Sequence, residues 1–389
     1  MTNERITQLQ EAMASDGVEA IVLRLAENVL LATRWYVQIP GLGIAVVPRE
    51  GDATLLVPEY EAEEAEDIWG GAIKTFPAIR NDGPAPGPVI EKTLRELAQG
   101  IEGAPIGYEG SFETLAPASL AGEPNAVAAP TQSLIRATFA TDRLVDVTST
   151  LERLRAVKTD HDLEKLRTVN EIAMIGLNAF KEHTHAGRSE VEIMAAVESA
   201  VCARGHGHNG ARVVRAYATV YSGPDLANGW QYFRSRTRVV EANDVVMIEM
   251  GTVTDGYWAD HTRTVVAGKA TDRQREAYEA MREAARVAFL AATPGVTGGD
   301  VDAASRKACA DAGFTQFPHH TGHGTGFRYH ESLPQLVSHG TDALAARNVI
   351  VTEPGIYGEE LHGGFRHEDN AVVGAQGAVE LATTDYGLE

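Results

Sequence analysis

The sequence is poor in cysteine: Cys202 and Cys309 are the only two in 389 residues. Two cysteines cannot form a disulfide framework, and a reducing cytoplasm is the expected compartment. Positive charge is also scarce, with Lys+Arg 34 against Asp+Glu 54 and a formal charge of −20. Nucleic-acid backbones and anionic membranes repel such a chain, so neither is expected as a partner. No apolar run approaches the roughly 18 residues of a membrane span. The opening Met1-Thr-Asn-Glu-Arg lacks the apolar core of a signal peptide. Histidine is missing before residue 161, and all 13 histidines lie at or after that position. That asymmetry places the chemistry in the C-terminal part. What remains is 44% hydrophobic and 23% charged, an ordinary globular composition. The length exceeds what one core usually supports, so two domains are expected.

Residues 1–150 alternate between helix and strand patterns. Ile6, Leu9 and Met13 recur at helical spacing, and Ala20–Leu23 is a short buried-strand run. Leu42–Val47 and Thr54–Val57 flank a turn at Glu50-Gly51-Asp52 and read as a hairpin. The acidic stretch Glu59–Asp67 reads as the solvated face of a surface helix. Asn81–Pro88, rich in proline and glycine, reads as a loop. The alternation predicts an α/β domain. Beyond a boundary near Arg155–Lys158, three capping boxes predict helices. These are Thr159-x-x-Asp162 for a helix to about Lys181, Ser189-x-x-Glu192 for one to Gly205, and Thr271-x-x-Gln274 for one to about Ala292. A fourth helix is expected over about Val301–Ala312. Strand-like runs lie between them, which makes this half α+β.

The C-terminal half echoes itself. Asp244-Val-Val-Met-Ile-Glu249-Met-Gly251 and Asn348-Val-Ile-Val-Thr-Glu353-Pro-Gly355 share a polar start, four mostly β-branched residues, an acid, one residue and a glycine. Each frame is expected to carry its acid at the far end of a strand. Each is followed by a second acid, in Tyr257-Trp-Ala-Asp260 and Phe365-Arg-His-Glu368. A duplicated unit with pseudo-two-fold symmetry would bring all four carboxylates together. Such a cluster repels itself unless a cation lies within it. Oxygen ligands with a histidine suit Mn, Co, Fe or Zn, and His323 in Gly322-His-Gly-Thr-Gly326 is available. The same glycines lack the lysine and spacing of a phosphate loop.

These motifs, with Arg366-x-Glu368-Asp369, resemble the signature of the pita-bread metallopeptidases, the family of Xaa-Pro aminopeptidases, prolidases and creatinase. The resemblance spans residues 155–375 and implies a creatinase-like α/β N-terminal domain (1–154). It also implies an α+β pita-bread catalytic domain (155–389) with an internal pseudo-two-fold repeat. It implies two divalent metal ions held by Glu249, Asp260, His323, Glu353 and Glu368. A water shared between the ions would attack the bond before proline, with Glu353 accepting its proton. By the same resemblance His330 steadies the substrate and its developing oxyanion, His319 is a further active-site histidine, and Arg366 lies beside the metals. His320 is expected outside the site. A homodimer is implied too, with Asn28 and Thr33–Tyr36 positioned to reach a neighbouring active site.

Two departures matter. Glu249 stands where the family has aspartate, which threatens one ligand. No histidine stands between Gly223 and Glu249, where the peptidases carry a substrate-holding one; the nearest positions are Trp230, Gln231 and Tyr232. Trp230 and Tyr232 are therefore candidate substrate-binding residues for a cationic or apolar group. The leading expectation is a metal-dependent Xaa-Pro peptidase. A non-peptidase C–N hydrolase or lyase of a small molecule stays open beside it, as does a non-catalytic binding protein.

Overall fold

The apolar run Ala20–Leu23 is buried at every position, without the alternation of a half-exposed strand, because both its faces are covered. It lies inside a six-stranded mixed sheet. The strand order is Ala72–Phe76, Thr54–Pro58, Ile44–Pro48, Ala20–Leu23, Ile106–Tyr108, Leu144–Asp146. Ile21 faces Val47 in the antiparallel pair and Gly107 in the parallel one. Ile44, Val46 and Leu56 pack with Leu94 and with Ile135 and Phe139 of the helices Pro86–Leu97 and Ala128–Phe139. The computed structural model describes all residues except 1–3, 40, 79–83, 111–121, 124–127, 229–233, 315–317 and 385–386. By its contacts the chain divides into Met1–Arg155 and Ala156–Glu389.

Two local expectations need correction in the first unit. Pro86–Pro88 is the first turn of a helix rather than loop, because a proline at a helix start gives up an N–H that has no partner there anyway. Residues 81–83 of that stretch lie outside the described residues. Asn28, Thr33 and Trp35, expected to reach outward, are buried within this unit. Asn28 bonds Glu109 and the buried Arg155, and the Trp35 indole donates to Glu61 at 2.8 Å.

Glu109 accepts from the backbone N–H groups of Arg24 and Leu25 and from Asn28. Burial pushes its carboxyl up to about 7, outweighing those hydrogen bonds. A carboxyl raised on folding stabilises fully below its unfolded value, and that contribution is lost as pH rises through the folded one. The full difference is about 3 kcal/mol. Glu109→Gln is expected to flatten the fall in stability of this unit between about pH 5 and 8. Thermal melts across that range check it, and an unchanged slope would refute the assignment.

The second unit repeats one plan twice. In its first half the capped helices Asp160–His183 and Glu190–Gly205 cover an antiparallel sheet of Val214–Ser222, Val245–Thr254 and Tyr257–Val266. Ile172, Val197, Val220, Ile248 and Met250 form the seam. In the second half Asp272–Ala291 and Gly298–Asp311 cover a five-stranded sheet, joined through Ala288, Val301, Leu336, Ile350 and Ala371. Its order is Glu331–Leu336, Gly322–Gly324, Val349–Thr352, Asp369–Gly374, Gly377–Glu380. A short ladder pairs Gly355–Gly358 with Gly363–Arg366, and a bridge between Thr262 and Glu368 links the two halves. The internal repeat and the α+β class are therefore present. Among the described residues no helix is long and apolar enough to cross a membrane.

Candidate metal centre

Strand alternation decides where the acids point. Ile248 and Met250 face the helices, so Glu249 between them faces the opposite side. Its cross-strand neighbour is Thr262, and Asp260 lies opposite Gly251, so both acids share one face. Glu249 is not at a strand end, as its frame suggested. The strand runs on to Thr254, and the chain turns at Asp255-Gly256, both with positive φ. Glu353 does stand where expected, directly after Val349–Thr352, with its N–H donated to the Thr321 carbonyl at 2.7 Å.

His323 comes from Gly322–Gly324, a strand with no room for side chains on either flank. A Cβ on Gly322 would meet the Val351 carbonyl oxygen at 2.0 Å, and one on Gly324 the Leu333 oxygen at 2.2 Å. The His323 Nδ1–H donates to the Gly324 carbonyl at 2.8 Å, which leaves Nε2 as a lone pair. Nε2 is buried without a hydrogen-bond partner, 3.6 Å from Asp260 Oδ2 and 3.5 Å from Glu353 Oε1. Asp260 Oδ1 is likewise buried and unpartnered. Buried acceptors left without a donor are costly unless a cation satisfies them. The donor set of imidazole and carboxylates suits a divalent metal ion. Asp260, His323 and His330 converge as one possible ligand group; His320, His323 and Glu353 converge as another.

The charges say the same. Burial raises the Asp260 carboxyl well above the usual range, and Glu249 and Glu353 add to the effect. Glu368 is raised by burial and then by Asp260 and Glu353, although Thr262 donates to its Oε2 at 2.7 Å. Glu353 goes the other way: burial would raise it, but His320, His323 and Arg366 outweigh that and hold it well below the usual range. Burial, then the neighbouring His330, keeps His323 neutral.

Around this centre the expected residues take distinct positions. His330 stacks on Tyr329 and reaches Asp260 Oδ2 at 3.3 Å. Arg366 donates to the Thr262 hydroxyl at 3.2 Å and forms an ion pair with Glu249. Glu249 also accepts from Tyr221 and Tyr329, at 3.4 and 3.3 Å. Its carboxylate thus already has a cationic partner within the protein. His319 has both ring nitrogens engaged, by the His320 carbonyl at 2.8 Å and the Tyr357 hydroxyl at 2.9 Å, and burial lowers it to about 4. His320, expected outside, is inside: its Nε2 lies 2.7 Å from Glu353 Oε1. Two adjacent histidines in irregular backbone are not forced to opposite faces, and spacing alone could not reveal this. Trp230 and Tyr232 lie outside the described residues. His261 faces away from the site, as expected, toward Asn370 and Asp369.

Known proteins match this chain over nearly its whole length. The putative dipeptidase YkvY of Bacillus subtilis is 27% identical over 384 residues, 97% of each chain. The Xaa-Pro dipeptidase of Pyrococcus horikoshii is 26% identical over 394 residues, 99% of each. The crystal structure of the prolidase from Pyrococcus horikoshii OT3 superposes with a TM-score of 0.78 at 25% identity, covering all of both chains. Residues 164–375 match metallopeptidase family M24. With more than half of its length matched, the chain belongs to metallopeptidase family M24.

Proposed function

We propose that this protein is a metal-dependent peptidase that hydrolyses the bond before proline in small peptides. The observation that carries the reading is the pair of buried, unpartnered acceptors, His323 Nε2 and Asp260 Oδ1, beside Glu353 and Glu368. The end-to-end likeness to an Xaa-Pro dipeptidase supports the substrate class. Asp260, His323, Glu353 and Glu368 would hold divalent ions, Mn or Co first among the candidates, with Glu249 completing the set. When bound, such ions lower the pKa of water and polarise a carbonyl.

The chain's own residues then divide the work. Glu353, whose Oε1 lies 2.7 Å from His320 Nε2 and 3.5 Å from His323 Nε2, is the proton acceptor. His330, on the partly open side, donates toward the oxygen that gains charge. Arg366 fixes Glu249, and His319 holds the Tyr357 hydroxyl. The reading assigns residues 1–154 to an N-terminal domain and 155–389 to catalysis, in a cytoplasmic homodimer.

Loading with Mn²⁺ or Co²⁺ is expected to give hydrolysis of Xaa-Pro dipeptides or Xaa-Pro-Xaa tripeptides, and inactivity on all of them sinks the proposal. A second reading, C–N cleavage of a small non-peptide molecule, is favoured by the stretch between Gly223 and Glu249, which contains no histidine. Turnover of such compounds with no peptidase activity would select it.

A further inference from the structure

His320 stands where the family resemblance assigns no ligand, yet its geometry is that of one. Its Nε2 lies 2.7 Å from the same Glu353 oxygen that His323 Nε2 approaches at 3.5 Å. The two imidazoles meet edge to face, with centroids 5.7 Å apart and planes at 82°. All three donor atoms lie within 4.8 Å of one another. One of them, His323 Nε2, is buried and has no partner. The backbone that carries His320 is pinned on both sides. The His319 ring bonds the His320 carbonyl, and the Thr321 carbonyl accepts the Glu353 N–H. On this held backbone the ring is set toward the site by its 2.7 Å contact with Glu353 Oε1. His320 is 36% exposed, so it approaches from the open side while His323 approaches from within.

We infer that His320 is a second imidazole ligand of the metal centre, binding one ion together with His323 and Glu353. The inference rests on the metal-centre reading of this site. Its consequence is a change in ion preference. A second nitrogen donor favours borderline ions such as Co²⁺ and Zn²⁺ over Mn²⁺, which an all-carboxylate set with one histidine accommodates more evenly.

The test uses the full chain and counts imidazoles directly. Pulsed EPR of the protein loaded with one equivalent of Cu²⁺ reports the remote nitrogen of each bound imidazole. The wild type is expected to show at least two, His320→Ala one fewer, and His323→Ala a much weaker site. His320→Ala is also expected to lower the ratio of Co²⁺ to Mn²⁺ affinity by about tenfold, read by chelator competition. An imidazole count in His320→Ala equal to that of the wild type overturns the inference while leaving the metal centre intact. Failure of the wild type to bind Cu²⁺, Co²⁺ or Mn²⁺ overturns the metal reading itself. His320→Gln, which keeps polarity and size, guards against a folding artefact.

Discussion

Glu353→Gln is expected to lower kcat on an Xaa-Pro dipeptide by about 10²–10⁴-fold at saturating Co²⁺, the range for loss of a positioned general base. Glu353 contrasts with the neighbouring carboxyls. Asp260 and Glu368 are pushed up by burial and by one another, whereas burial of Glu353 is outweighed by His320, His323 and Arg366. Glu353 Oε1 also lies 2.7 Å from His320 Nε2 and 3.5 Å from His323 Nε2, which places it at the proposed ion position. Glutamine keeps the shape and one oxygen for an ion but cannot take a proton. A drop of less than about tenfold in kcat, with an unchanged pH profile, would remove Glu353 from that role. Glu353→Asp, which retains a base one methylene shorter, is expected to fall between the two.

Lys158→Met is expected to destabilise the second unit by about 3–5 kcal/mol, measured by denaturant unfolding. Lys158 Nζ lies 2.7 Å from Glu331 Oε2, with the two side chains 0% and 3% exposed. The other Glu331 oxygen accepts the Phe327 N–H at 2.7 Å, and the ammonium lies 5.7 Å from the Phe327 ring. Removing the cation leaves a buried carboxylate without its counter-charge, whereas removing both charges does not. The double variant Lys158→Met with Glu331→Leu is therefore expected to recover much of the loss. Because Glu331 follows His330 directly, the single variant is expected to raise KM as the turn from Phe327 loosens. A stability change below about 1 kcal/mol would show the pair to be dispensable.

Much of the second unit was readable because helix starts carry their own chemistry. The boxes at Thr159, Ser189 and Thr271 each form both reciprocal hydrogen bonds, and the helices begin where those residues place them. The fourth box, Thr297-x-x-Asp300, contains Gly298-Gly299, which have low helix propensity and obscure it in the sequence. Glycine is there for another reason, since a Cβ on Gly298 would lie 1.9 Å from the Gln335 carbonyl oxygen. That is a tertiary constraint, invisible to local propensity. The site divides the same way. Its acids and His323 were legible from a repeated frame, while His320, Tyr221 and Tyr329 join it through cross-strand and loop geometry that spacing does not encode.

The residues proposed as ligands come from separate stretches of the chain, and Glu249 and Glu368 are more than a hundred positions apart. Closing a loop of that length costs roughly 4–5 kcal/mol of chain entropy, to be met before the remaining ligands can engage. The ion therefore cannot act as an early nucleus that draws the chain together. It can be captured only once both sheets are docked, so metal uptake is a late event that reports completed topology. Refolding rates in chelator and in Co²⁺ should then coincide, and the ion should act on the unfolding rate alone.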